Sequence, residues 1–138
     1  MKLLRKIQAL ILARRQMKVV GMALNIIRKA TTMKEVKRPI SVLKQLADSG
    51  FTPALTALGM VFSMDDVPWY DLKQAKTKLE AASEQGDIEA QYELGSLYYV
   101  GRKDFSPDPI NGKYWMELAA SKGHPLARRF LQAKYETN

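Results

Sequence analysis

Apolar residues recur every three or four positions along most of this chain, which is the spacing of amphipathic α-helices. In residues 87–100, the small and apolar residues that fall on one face of such a helix are Ala90, Leu94, Gly95 and Tyr98. Residues 52–62 contain the same arrangement, formed by Ala54, Leu58, Gly59 and Phe62. The pattern therefore predicts an all-α protein built from a repeated helical unit.

Glycines mark the period of this repeat. Gly50, Gly86 and Gly123 are 36 and 37 residues apart, and each ends a helical pattern, where a residue in the left-handed conformation is needed. Each is followed closely by a helix start, signalled by a first-turn proline or a capping aspartate. A second start, at Asp71 in one unit and Asp108 in the next, falls at the same offset. The unit is therefore helix A, loop, helix B and glycine, and about seven helices are expected.

The predicted organisation is a short N-terminal segment followed by a repeat domain. Residues 1–16 are predicted to form a basic amphipathic helix, and residues 17–138 the repeat domain. The parts of that domain are a degenerate unit, two clear units and a closing helix, with bounds 17–50, 51–86, 87–123 and 124–136. In the degenerate unit, the residues at the places of Leu58, Gly59 and Phe62 are Met22, Ala23 and Ile26. At least three units are usually needed for a stable stack.

Aromatic residues are predicted to fill the spaces between helices that small residues bring together. Tyr98 and Trp115 occupy such packing positions, so both are expected in the core. In the preceding unit Lys78 holds the place of Trp115. Trp69, in the loop before helix B, is therefore expected to supply the packing that a lysine cannot.

This pattern resembles the Sel1-like repeat family, a relative of the tetratricopeptide repeats. The family signature is Ala-x3-Leu-Gly-x2-Tyr, an aspartate that opens helix B, and Ala-x2-Trp-x3-Ala-Ala-x2-Gly. The matching residues of the second unit are Ala90, Leu94, Gly95, Tyr98, Gly101, Asp108, Trp115, Ala119, Ala120 and Gly123. Those of the first are Ala54, Leu58, Gly59, Phe62, Asp71, Ala75, Ala82 and Gly86. The resemblance implies a right-handed α-solenoid of helix-turn-helix repeats.

The resemblance also implies a function, because helical repeats of this kind present an extended surface to other proteins. A non-catalytic protein-binding adaptor or scaffold, in a bacterial multiprotein complex, is the leading expectation. By analogy with tetratricopeptide repeats, the helix A residues implied to line the concave surface are Thr56, Met60, Ser63, Glu89, Tyr92, Ser96, Tyr99 and Arg129. Tyr92 and Tyr99 are expected to contact the partner from this groove.

Positive charge is concentrated at the N-terminus. Residues 1–38 carry eleven Lys and Arg and a single acid, whereas the rest of the chain carries a net −2. The apolar and basic residues of the predicted N-terminal docking helix are Leu3, Leu4, Arg5, Lys6, Ile7, Leu10, Ile11, Arg14 and Arg15. Three surfaces are considered that would bury the aliphatic side chains of this helix: the solenoid itself, an acidic protein partner or an anionic membrane. Nucleic acid is less expected, because residues 1–38 contain no aromatic residue for base stacking.

Residues that could support catalysis are sparse. The chain has no cysteine and one histidine, His124, so no thiolate or histidine cluster can hold a metal. No phosphate-binding glycine loop occurs, and the adjacent acids Asp65 and Asp66 are expected to be solvated turn residues. We therefore expect no cofactor, no small-molecule substrate and no enzyme activity. No apolar run is long enough to span a membrane, so the expected location is the cytoplasm, with peripheral binding at the inner membrane as the alternative.

Overall fold

Seven helices account for most of residues 1–135, the part of the chain that this computed structural model describes. They are α1 (Lys2–Lys29), α2 (Met33–Asp48), α3 (Thr52–Phe62), α4 (Leu72–Glu84), α5 (Ile88–Val100), α6 (Pro109–Ser121) and α7 (Pro125–Tyr135). Apart from one antiparallel bridge between Arg102 and Phe105, residues 1–135 contain no paired strand. The prediction of an all-α helical repeat fold is confirmed. Residue 136 of the predicted closing helix lies outside the described residues.

Each helix packs against the next helix in the chain, and the odd-numbered helices also contact one another. Specifically, α3 contacts both α1 and α5. The odd-numbered helices therefore form one layer of the stack and the even-numbered helices form the other. The odd-numbered layer is the face that the sequence predicts to be concave.

The three repeated glycines end helices as predicted. Gly50, Gly86 and Gly123 have φ angles of 90°, 90° and 96°, which L-residues with a side chain rarely adopt. The residue after each glycine donates its N–H to the carbonyl five positions earlier, at distances of 3.0–3.1 Å. This closes a Schellman motif at the end of each helix. The same local chemistry thus recurs at all three turns and sets the period of the stack.

The helices α4, α5 and α6 each begin at an aspartate whose side chain caps the helix. Asp71, Asp87 and Asp108 each accept the backbone N–H of the residue three positions later, at 2.8–3.1 Å. Thr32 and Glu35 form a reciprocal capping box at the start of α2, which the sequence interpretation missed although Thr-x-x-Glu is a recognisable start signal. Hydrogen bonds from the Gln74 side chain and then its backbone hold the pKa of Asp71 below its usual range.

We expect Asp71→Ala to lower the free energy of unfolding by about 1 kcal/mol at neutral pH, the usual contribution of an N-cap. A folded-state pKa below the unfolded one stabilises the protein above the unfolded pKa, and this stabilisation is lost as pH falls through the folded pKa. The difference between wild type and variant should therefore narrow below about pH 4. Urea unfolding at neutral and acid pH measures it. Asp48→Ala, which removes an exposed carboxylate that has no hydrogen bond within residues 1–135, is the matched control, and equal losses at both sites would contradict the assignment.

Close helix contacts occur at the small residues, but the residue that fills the space differs from the prediction. A side chain on Gly59 would meet the Leu79 side chain, and one on Gly95 would meet Met116. Leu79 and Met116 hold equivalent positions and are each only 1% exposed. Trp115, predicted to be core, is half-buried at the rim, as is Lys78 at the equivalent position. The earlier unit therefore needs no substitute for a tryptophan there.

The remaining aromatic predictions have mixed outcomes. Tyr98 is only half-buried, because its hydroxyl reaches the rim and donates to the Glu80 carboxylate at 3.0 Å. Trp69 is buried as predicted. It packs in the cluster that contains Val61 and Phe62, which is not the cluster that Tyr98 packs against. Tyr98 therefore packs against the core cluster of α4 and α5, as predicted, but is not itself fully buried.

Helix α1 runs without a break across the predicted boundary between residues 16 and 17. Its buried residues are Val20, Ala23 and Ile27, whereas Met22 and Ile26, predicted at core positions, are exposed. Only the C-terminal half of α1 therefore packs on the stack. The part before Val20 carries no buried side chain.

Candidate protein-binding surfaces

Three of the predicted concave-face residues come together in a groove between α1 and α3. Thr56 and Met60 project from α3, and Glu89 lies at the start of α5. The groove has a volume of about 300 Å³, and its α1 wall is formed by Met17, Val20 and Leu24. We call it the α1–α3 groove. Two acidic residues, Asp87 and the predicted Glu89, line it beside the apolar side chains of α1 and α3.

Thr56 is the most unusual residue of the α1–α3 groove. Its side chain is 4% exposed, and its hydroxyl has no hydrogen-bond partner among the described residues. Buried hydroxyl groups are nearly always paired, because an unpaired one costs free energy. The Thr56 hydroxyl oxygen is enclosed by protein atoms, so it lies within the wall of the groove and does not face its open space.

The predicted tyrosines pack on the closing helix instead of standing free. Tyr92 stacks on the His124 ring, with centroids 4.4 Å apart and planes 13° from parallel. Tyr99 places its ring edge-on to Phe130 at 4.7 Å. Both are half-buried, and burial raises the pKa of Tyr92. Their contacts with α7 depend on how that helix docks, which helix A periodicity does not reveal.

His124 joins α7 to α5 through both of its ring nitrogens. Nδ1 accepts the backbone N–H of Ala127 at 3.2 Å, so Nδ1 carries no proton. Nε2 therefore carries it and donates to the Glu89 carboxylate at 3.0 Å. Burial, followed by the charge of Glu89, raises the pKa of the neighbouring Glu93. Glu89 is thus both a groove residue and the acceptor that orients His124.

The other predicted residues of the concave face lie apart from this groove. The Ser63 hydroxyl donates to the Met60 carbonyl at 3.0 Å and so helps to end α3. Ser96 is half-buried on α5, and Arg129 is exposed on α7. The structure therefore gathers Thr56, Met60 and Glu89 and leaves the rest of the predicted set along the same layer.

The predicted N-terminal docking helix is exposed to solvent. Its five aliphatic residues, Leu3, Leu4, Ile7, Leu10 and Ile11, are between 44% and 70% exposed. Its basic residues, Arg5, Lys6, Arg14 and Arg15, are also exposed. None of these basic residues forms an ion pair within residues 1–135. The described helices do not cover this segment.

A second apolar groove, between α1 and α2, was missed by the sequence interpretation. Val19, Met22 and Ile26 of α1 face Pro39 and Val42 of α2 around a space of about 420 Å³. These three α1 residues are three and four positions apart, which indicates a shared apolar side of the helix. The groove was missed because Met22 and Ile26 were predicted to lie in the core of the degenerate unit.

Neither metal chemistry nor a membrane span is indicated in the described part of the chain. In residues 1–135, no three histidine, aspartate or glutamate side chains gather into a group that could hold a metal ion. Within the same range, no helix combines the length and apolar composition needed to cross a membrane.

A family model described as Sel1 repeat matches residues 88–124, almost the bounds predicted for the second unit. This part of the chain is similar to a Sel1 repeat. The Sel1 repeat protein from Oxalobacter formigenes has a similar solved structure, with a TM-score of 0.69 and 23% identity. The alignment covers 88% of this chain and 49% of that one. The two proteins share the helical repeat fold, and Sel1 repeats are generally protein-interaction modules.

Two mammalian proteins are similar over half of the chain. The mouse (Mus musculus) DAP3-binding cell death enhancer 1 is 39% identical over 67 residues, which are 49% of this chain and 13% of the mouse protein. Its rat (Rattus norvegicus) counterpart is 37% identical over the same length and the same shares. The chain thus spans only a small part of the curated relatives that it matches.

Proposed function

We propose that this protein is a non-catalytic protein-binding scaffold that holds a segment of its partner in the α1–α3 groove. The observation that carries the proposal is the half-exposed Glu89 carboxylate beside the apolar residues Met17, Val20 and Met60 of this groove. A surface of this kind offers an anchor for an aliphatic side chain and one directional hydrogen bond. Protein interfaces combine these two elements, with specificity supplied by the polar group.

The Sel1 repeat supports the same proposal at the level of function class. The mouse relative is named for binding DAP3, and we carry over only the class of ligand, a protein. A place in a bacterial multiprotein complex, in the cytoplasm, is part of the proposal. Its support is the resemblance to repeat proteins that act as scaffolds.

We expect Met60→Arg to remove a partner that the wild-type protein retains, because the long cationic side chain would fill the α1–α3 groove. The test is affinity purification from the source cells followed by mass spectrometry. Val100→Arg is the matched control, since Val100 is an exposed apolar residue at the end of α5, outside the groove. If both variants recover the same partners as wild type, the groove is not the binding site. Thermal unfolding must show that both variants remain folded.

A second candidate is peripheral binding to an anionic membrane through residues 1–16. It is favoured by the exposed aliphatic residues of this segment. It is also favoured by the charge of α1, which has eight basic residues and no acidic residue. Basic amphipathic helices bind at the bilayer interface by burying their apolar side and attracting anionic lipids. The inner membrane, approached from the cytoplasm, is the proposed location in that case.

A further inference from the structure

The first two helices leave one side of the stack uncovered. Helices α1 and α2 pack against each other and against α3, and no described helix lies on their other side. That side, which we call the end face, consists of Val19, Met22 and Ile26 from α1 with Pro39 and Val42 from α2. It has the apolar composition of a surface that packs against another helix.

The apolar surface of the end face continues along α1 as a stripe. Starting at Ile26 and moving towards the N-terminus, the positions that recur every three or four residues are 22, 19, 15, 11, 8 and 4. Ile26 and the residues at these six positions all have exposed side chains. At 1.5 Å per residue the stripe is about 33 Å long. Gln8 and Arg15 are its polar members, so a central arginine interrupts an aliphatic stripe.

The charge around the stripe has one sign. Arg14 and Lys18 neighbour Arg15 along α1, and Arg38 of α2 lines the end-face groove. None of these four basic residues forms an ion pair within residues 1–135. Glu35 is the acid beside the groove, but its carboxylate already accepts the Thr31 and Thr32 N–H groups, both at 2.9 Å. A second copy of this chain would bring an equally basic α1 to the same surface, which is unfavourable. The positive field therefore calls for an acidic partner.

We propose that the end face and the stripe bind one amphipathic helix of a partner protein, with an acidic side chain placed opposite Arg15. Apolar residues of that helix at a spacing of three and four would lie along Leu4, Ile11 and the end-face groove. An arginine–carboxylate pair inside an apolar seam fixes the register of two helices. The proposal does not depend on the α1–α3 groove, because the two surfaces share no residue.

Three synthetic helical peptides of about six turns, the length of the stripe, test the proposal. They share one leucine stripe and differ only in its central residue, which is Glu, Gln or Lys. We expect the Glu peptide to bind the full-length protein at least about tenfold more tightly than the Lys peptide, measured by calorimetry, with a preference that weakens as salt is added. Arg15→Glu should reverse this order. Equal affinity of the wild-type protein for the three peptides would overturn the proposal.

Matched variants separate the end face from other apolar surfaces. Ile26→Asp should abolish peptide binding, and Ile110→Asp should leave it unchanged, because Ile110 is an exposed isoleucine on α6. Both variants should keep the wild-type circular dichroism and melting temperature, since neither residue is buried. The proposal is overturned if Ile110→Asp weakens binding as much as Ile26→Asp.

Two further measurements identify a different occupant. Analytical sedimentation tests for self-association of the wild-type protein. Self-association that Ile26→Asp removes would mean that a second copy covers the end face. Vesicles containing phosphatidylglycerol, compared with pure phosphatidylcholine vesicles, test the bilayer. Tight vesicle binding that Ile26→Asp removes, without selective peptide binding, would replace the partner helix by a membrane. Met60→Arg should leave peptide binding intact, so failure of the α1–α3 groove proposal is detected independently.

Discussion

Replacing Leu79 with alanine is expected to lower the free energy of unfolding by about 2–5 kcal/mol. Leu79 is almost completely buried and fills the space beside Gly59, where even a Cβ atom would lie within 2.5–2.6 Å of its side chain. Removing its branched end leaves a cavity that the close approach of α3 and α4 cannot easily collapse. Chemical unfolding followed by circular dichroism measures the change, and Met116→Ala should give a loss of similar size in the next unit.

The neighbouring residue is the control for this prediction. Lys78 lies at the half-buried rim, so Lys78→Ala should change the free energy of unfolding by no more than about 0.5 kcal/mol. A loss at Lys78 that matches the loss at Leu79 would show that the core and rim positions of the repeat have been exchanged.

The second large effect is expected for glycine-to-alanine substitutions, which should lower the free energy of unfolding at Gly112 and raise it at Gly21. A Cβ on Gly112 would lie 2.8–2.9 Å from backbone atoms of Tyr99, so Gly112→Ala must push α5 and α6 apart. We expect a loss of about 1–3 kcal/mol, as for other overpacked sites. Gly21 is also helical, but apart from its chain neighbours and the backbone of its own helix no atom of residues 1–135 lies within 4 Å of the same position. Gly21→Ala should therefore stabilise the protein by about 0.5–1 kcal/mol, because alanine is the better helix former.

Melting temperatures and urea midpoints of both glycine variants provide the measurement. Stabilisation by Gly112→Ala would mean that α5 and α6 are farther apart than the structure places them. Destabilisation by Gly21→Ala would mean that the outer side of α1 is covered, contrary to its exposure.

The helix boundaries could be predicted from the sequence because they depend on local chemistry. A glycine in the left-handed conformation and an aspartate that accepts a backbone N–H act within a few residues of their own position. The choice between Trp115 and Met116 could not be made in the same way. Adjacent residues on a helix point 100° apart, and both are apolar. Only the contact of Met116 with Gly95 identifies which one faces the partner helix.

The sequence predicted only those parts of the candidate binding surfaces that depend on periodicity within one helix. Thr56 and Met60 share one side of α3, so helical periodicity placed them together. The contacts of Tyr92 and Tyr99 with α7 arise between helices distant in sequence, and periodicity carries no information about them. The register of α1 was misplaced because this helix has apolar residues on two sides. One side packs in the stack and the other faces solvent.

The neighbour-to-neighbour packing of the seven described helices has a mechanical consequence. No extensive contact joins α1 to α7, so the stack behaves as a one-dimensional array whose stability is a sum over adjacent pairs. The two ends can open while the middle stays folded. A molecule bound at the end face would therefore protect the amides of α1 and α2 from hydrogen exchange far more than those of α7, and the gradient of protection along the chain would report which end it occupies.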